Sequence, residues 1–128
     1  MNNSVLDTIK TRLTEISEEY GMNGVSYGIQ ERDDIPEWNY FVFNRDRTKK
    51  ASNGVDRQTY YQVHIVHENY IPEGFVDKVI EKLESRTEDG TKIRQTSDDI
   101  QYDYVFKGST NLVVEIATIT FVHPEKRR

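Results

Sequence analysis

Two apolar ribbons, residues 38–43 (WNYFVF) and 59–67 (TYYQVHIVH), flank a basic segment at residues 44–57, NRDRTKKASNGVDR. Aromatic and β-branched residues at this density form strands, and Asn53-Gly54 is a turn dipeptide, so the excursion reads as a distorted or extended β-hairpin. It holds five basic residues and two acids in a chain whose net charge is −5. A long polar excursion is costly to order, so in a small domain it reads as a contact arm rather than an idle connection. Its composition offers little to bury, and it is expected to be mobile in the isolated chain. Residues 38–43 are apolar at both parities, as a strand covered on both faces or placed at an interface would be.

The rest of the chain supplies two helices and more strands. Ser4 and Asp7 have capping-box spacing, and Val5, Leu6, Ile9, Leu13, Ile16 and Tyr20 recur every three or four residues behind them. Lys10, Arg12, Glu15, Glu18 and Glu19 take the remaining, wet positions, and Gly21 suits a left-handed helix terminus. Residues 25–29 read as a short strand. Pro72 fits the first turn of a second helix with Phe75, Val76, Val79, Ile80 and Leu83 as its buried stripe, closed by TEDG at 87–90. Residues 91–96 read as another short strand. In residues 100–107, Ile100, Tyr102, Tyr104 and Phe106 share one face, and residues 112–123 form the longest strand, ended by Pro124. The order α-β-β-α-β-β(-β) predicts an α+β fold, a two-layer sandwich of two helices on a mainly antiparallel sheet. Residues 1–124 read as a single domain with the basic arm at 44–57, and residues 125–128 as a mobile basic tail.

Composition narrows the chemistry. At 128 residues, with 30% charged and 35% hydrophobic residues, the chain can bury a core of its own. It has no cysteine, which excludes disulfides and thiol chemistry. The N-terminus lacks a secretory pattern, and the longest apolar run, 112–122, is too short and interrupted to cross a bilayer. A soluble, cytoplasmic protein is expected.

No arrangement of residues reads as an active site. His64, His67 and Glu68 raise the question of a metal, but odd spacing in a strand sends the two rings to opposite faces. Asp33-Asp34 and Asp98-Asp99 lie at turns, where Asp is favoured for local hydrogen bonding. Nucleophile-elbow, phosphate-loop and dinucleotide fingerprints are all missing. The expectation is therefore no catalysis, cofactor or metal. Eight tyrosines beside a basic arm also suit base stacking on nucleic acid. Most of them sit at core-compatible parity, however, and a Tyr-rich edge with an Arg/Lys arm suits a protein interface better. The first helix has an acidic polar face, wrong for an anionic membrane.

The runs WNYFVF at 38–43 and YYQVHIVHENYIPEG at 60–74, with the basic loop between, resemble a family of small phage neck proteins. Tyr102-Asp-Tyr, GSTN at 108–111 and VVEIATITFV at 113–122 continue the likeness over nearly the whole chain. These proteins are encoded in the head–tail gene blocks of long-tailed phages and prophages of Gram-positive bacteria. In architecture the chain is most similar to the tail terminator, also called tail completion or minor tail protein. The resemblance implies a non-enzymatic ring, usually of six subunits, that caps the tail tube and meets the head connector in the virion after assembly in the host cytoplasm. A head–tail adaptor of another type and a nucleic-acid-binding module remain the alternatives.

A ring needs complementary patches on one subunit. Arg45, Arg47, Lys49, Lys50 and Arg57 on the arm, with Glu31, Asp33, Asp34, Asp98 and Asp99 as acidic counterparts, are the candidates.

Overall fold

The computed structural model describes residues 4–29, 37–50, 57–85 and 92–125. The chain is α+β: the described residues form two helices and a mixed six-stranded sheet. Helix α1 (Val5–Glu19) starts at the expected capping box. The Asp7 amide donates to Ser4 Oγ at 3.0 Å and the Ser4 amide to Asp7 Oδ2 at 3.4 Å, meeting two otherwise unpaired donors. Gly21, at φ 66°, ends the helix in the left-handed region expected of it. Helix α2 (Phe75–Glu84) begins later than predicted. Gly74 caps it and Pro72 lies in the preceding turn, its carbonyl accepting from the Phe75 amide at 3.1 Å. Residues 87–90, read as its closure, lie outside the described residues.

Strand order in the sheet is β1 (Val25–Tyr27), β2 (Asn39–Lys50), β3 (Arg57–Glu68), β6 (Val113–Glu125), β4 (Arg94–Gln95). Strand β5 (Gln101–Phe106) pairs with the lower half of β6 on the same side as β4. All neighbours are antiparallel except β1 and β2. The short strand read at residues 25–29 is β1, left out of the order α-β-β-α-β-β(-β), and its parallel pairing with β2 places Val25 beside Phe41. Pro124 continues β6 rather than ending it. The Thr120 carbonyl faces the β4 side, where it accepts from the Thr96 amide at 2.9 Å. By alternation the Pro124 nitrogen faces that side too, beyond the last β4 pair, where no donor is needed.

Register rows show where the core sits. Phe41–Ile65–Ala117 and Phe43–Val63–Ile119 run across β2, β3 and β6 on one face. They join Ile9, Leu13 and Ile16 of α1 and Phe75, Val79 and Leu83 of α2 in a single buried cluster. Phe41 and Phe75 stack at 6.1 Å between centroids. Leu13 and Leu83 are essentially inaccessible, each contributing about 1.5–3 kcal/mol by burial.

One helix assignment needs correction. Arg12, placed by periodicity on the wet face, is buried. Its guanidinium donates to the Lys82 carbonyl and to Ser85 Oγ, so α1 supplies partners to groups at the C-terminal end of α2 that the helix itself cannot satisfy.

Candidate interaction surface

The arm is a paired extension of the sheet. Strands β2 and β3 stay paired out to Lys50 opposite Arg57, and residues 51–56 of the arm, where the Asn53-Gly54 turn is expected, lie outside the described residues. From Arg45 to Lys50 every residue is exposed.

A bulge distributes the charges. The register shifts between Arg45 and Arg47, leaving Asp46 unpaired. Without it, Arg45 and Arg47 would share a face; with it, Arg45 stays on the parity of Tyr61 and Arg47 moves to that of Tyr60. Arg47 lies 4.1 Å over the Tyr60 ring, pairs with Asp46, and reaches Asp98 at 3.9 Å. Two predicted interface residues, Arg47 and Asp98, are therefore brought together within one chain. At the far end, Lys50 stands directly opposite Arg57, a like-charge pairing that weakens a ladder. Among the described residues no salt bridge reaches Arg45, Lys49, Lys50 or Arg57. Asp99 is exposed beside Asp98. Glu31, Asp33 and Asp34 lie outside the described residues.

Below the arm, the sheet face opposite the helices carries a polar relay. His64 lies between Thr118 Oγ1, 2.9 Å from Nδ1, and Asn44 Oδ1, 2.8 Å from Nε2. Asn44 Nδ2 donates to Gln62 Oε1 at 3.2 Å and to the Arg45 carbonyl at 3.0 Å. Since Asn44 Oδ1 can only accept, the network assigns the proton to Nε2 and makes Nδ1 the acceptor from Thr118. Burial lowers the His64 pKa, opposed by the Asp103 charge, so the ring is held neutral. A cleft of about 370 Å³ lies alongside, lined by Asp46, Arg47, Gln62, Asp98, Gln101 and Thr118 among others.

His67 lies apart from this relay. It lines a separate, largely apolar hollow of about 200 Å³ with Tyr20, Met22 and Phe75. Among the described residues, no three His, Asp or Glu side chains converge as a metal would require. No described helix is long and apolar enough to cross a membrane.

The aromatic residues also need correction. Of the tyrosines, only Tyr61 is fully buried; Tyr20, Tyr27, Tyr70, Tyr102 and Tyr104 are exposed. Strand β5 is exposed along its whole length despite its alternating pattern. It is nonetheless fixed in place. Lys107, at its end, pairs with Glu68 at 2.6 Å, and Glu68 also accepts from the Trp38 amide at 2.7 Å. Burial raises the Glu68 pKa, but the Lys107 hydrogen bond, the Trp38 amide and the Lys107 and His67 charges outweigh it, and the net shift is downward. Tyr104 donates to Glu115 at 2.8 Å, a hydrogen bond that raises the Tyr104 pKa above its ordinary value. No sequence signal marks these aromatics as exposed, because alternation looks the same whether the covering layer belongs to the chain or to a partner.

No protein-family model and no curated protein matches this sequence. A solved structure without a functional designation is similar to it at a TM-score of 0.52 and 11% identity, over 100% of this chain and 98% of the other. At that identity the likeness concerns the fold alone.

Proposed function

We propose that this protein is a non-enzymatic subunit of a phage neck ring of the tail-terminator type. In this reading the domain is a two-layer sandwich whose helices cover one sheet face, and its basic arm engages acidic surface on a neighbouring subunit or an adjoining ring. The observation that carries the reading is the Lys50–Arg57 pairing at the end of an exposed, cation-rich ladder. Two cations held opposite each other weaken the hairpin of a free monomer and gain a purpose when an anionic partner lies between them.

The partners are further copies of the chain, the tail-tube protein below and the head-connector proteins above. The setting is the virion neck, assembled in the host cytoplasm. Head–tail adaptors of another type use similar contacts and are the nearest competing position in the same assembly. Arg45, Lys49, Lys50 and Arg57 would equally meet a nucleic-acid backbone, and the test separates the two uses. Reversing Lys49 and Lys50 to Glu leaves the fold intact, since neither makes a salt bridge among the described residues and surface charges contribute little to stability; Arg47→Glu added to that pair breaks the Asp98 contact as well and is compared with it. Electron microscopy of particles assembled with the Lys49 and Lys50 reversal is expected to show tails of uncontrolled length or unattached heads. Normal particles, together with loss of a salt-sensitive DNA shift, would overturn the ring reading in favour of nucleic-acid binding.

A further inference from the structure

The sheet has two outer edges, and exposed apolar side chains gather at both. At the β5 edge Tyr104 and Phe106 are each 62% exposed. At the β1 edge Tyr27 is 45% exposed and Ile29, just beyond, 74%. Monomeric proteins blunt such edges with Lys, Pro or a bulge. Strand β5, QYDYVF, has one charge, Asp103, and pairs with β6 without a register shift.

The two edges match in direction, face and backbone. Strand β1 runs parallel to β2, while β2–β3, β3–β6 and β6–β5 are each antiparallel. Strands β1 and β5 therefore run in opposite directions. A second copy set beside the first in the same orientation brings its β1 antiparallel to β5. Tyr27 is in register with Phe43, and Tyr102 with Ala117, both core residues beneath the helices. Tyr27, Tyr102, Tyr104 and Phe106 thus project on the same face of the sheet.

Backbone groups complete the match. The Lys107 amide bonds the Leu112 carbonyl at 2.8 Å. Alternation along an antiparallel ladder then turns Asp103 and Val105 toward β6 and leaves the amides and carbonyls of Tyr102, Tyr104 and Phe106 facing outward. On β1, the Gly24 carbonyl accepts from Phe41 at 3.0 Å and the Gly28 amide donates to Phe43 at 2.8 Å, so Val25 and Tyr27 face outward. Registers two residues apart satisfy these conditions, and Tyr27 opposite Tyr104 with Val25 opposite Phe106 is the one that sets both outward residues of β1 against the exposed end of β5.

The same register is complementary in charge. Tyr27 lies level with Ile119 of its own β6, and Tyr104 with Glu115, so the arriving copy sits lower along the strands. Its Lys49 and Lys50, on β2 above the end of β1, then come level with the turn holding Asp98 and Asp99. That turn is anchored to β6 through the Thr96 amide on the Thr120 carbonyl.

We infer that the β5 edge is the docking site for a second copy of this chain, which adds its β1 edge head to tail with Tyr27 against Tyr104. Contact between two different edges is heterologous, repeats from copy to copy, and closes into a ring. The offset along the strands tilts them relative to the ring axis, as in a barrel. The inference rests on the ring reading and names the surfaces that make the ring.

The chain has no cysteine, so engineered crosslinks have no background. A hydrogen-bonded antiparallel pair has its Cα atoms about 5.5 Å apart, within disulfide reach. Mild oxidation of the Tyr27→Cys/Tyr104→Cys variant is expected to give a ladder of linked multimers, with each single variant unlinked. Tyr104→Pro removes an outward-facing amide, together with the exposed hydrogen bond to Glu115, and leaves the β5–β6 ladder in place; Tyr104→Phe, which loses that hydrogen bond and keeps the amide, is its control. The proline variant is expected to weaken self-association at least about tenfold, with an unchanged circular dichroism spectrum. Disulfide dimers from Tyr104→Cys alone would mean that β5 pairs with itself and would overturn head-to-tail docking. Oligomers that survive Tyr104→Pro, with no ladder from the double variant, would overturn the edge assignment and leave the ring reading standing. A wild type that stays monomeric would overturn both.

Discussion

Arg47 and Asp98 meet at 3.9 Å, joining the basic arm to the acidic turn inside one chain. Their side chains are 51% and 52% exposed, so the pair contributes at most about 1 kcal/mol. The Tyr60 ring under the guanidinium adds about 0.5–1 kcal/mol. Arg47→Ala is therefore expected to cost about 1–2 kcal/mol in urea unfolding, and Arg47→Ala with Asp98→Asn little more than Arg47→Ala alone. A cost above about 4 kcal/mol, beyond what such surface contacts supply, would show that the root of the arm is part of the structural core.

Arg12 is a second expected outcome. Arg12→Ala removes a buried guanidinium and its hydrogen bonds to the Lys82 carbonyl and Ser85 Oγ, and hydrogen bonds from a charged group contribute about 1.5–3 kcal/mol. Leu13→Ala and Leu83→Ala open cavities in the core and should cost about 2–5 kcal/mol each. Chemical denaturation of the three variants checks the order. A neutral Leu83→Ala would contradict the packing of α2.

Arg12 also shows where the sequence is legible and where it is not. Periodicity of three and four residues found both helices, because apolar side chains on one helical face have one place to go. It assigned Arg12 to solvent because periodicity carries no information about an acceptor on another helix. The antiparallel pairing of β2 with β3 could be read from the two apolar ribbons, but the bulge at Asp46, which decides the face Arg47 takes, has no signature in composition. Strand β1 falls within residues 25–29, which read as a short strand, but at three residues and pairing in parallel neither its length nor a hairpin turn marks its neighbour in the sheet. Tyr102, Tyr104 and Phe106 alternate as core residues do, and only the position of β5 at the edge shows them exposed. Of the candidate interface residues, Arg47 and Asp98 stand far apart in the sequence, and their contact needed the tertiary fold.

His64 makes stability depend on pH. Its pKa is lowered by burial from the ordinary 6.5, so the unfolded chain takes up a proton before the folded one does. Stability should be at its plateau above that ordinary value and fall as pH drops below it. His64→Gln should flatten this part of the profile, as read from melting temperature against pH. Glu68, whose pKa is lowered from 4.5, contributes stability that is lost at lower pH, as the folded carboxylate is protonated. Glu68→Gln should remove that second decline.

The Lys50–Arg57 pair separates stability from assembly. Lys50→Glu turns a like-charge cross-strand pair into an opposite-charge one and should stabilise the free chain by about 0.2–1 kcal/mol. In the ring account the same change weakens association, because the arm loses a cation its partner needs. A variant that melts higher and assembles normally would show the pairing to be incidental.

The central claim is that the chain builds a closed ring, and its mass in solution tests that most directly. Sedimentation equilibrium of the full 15.0 kDa chain, from micromolar to millimolar concentration, is expected to show conversion to one discrete multimer of fixed stoichiometry. A single species at the monomer mass across that range would contradict the account.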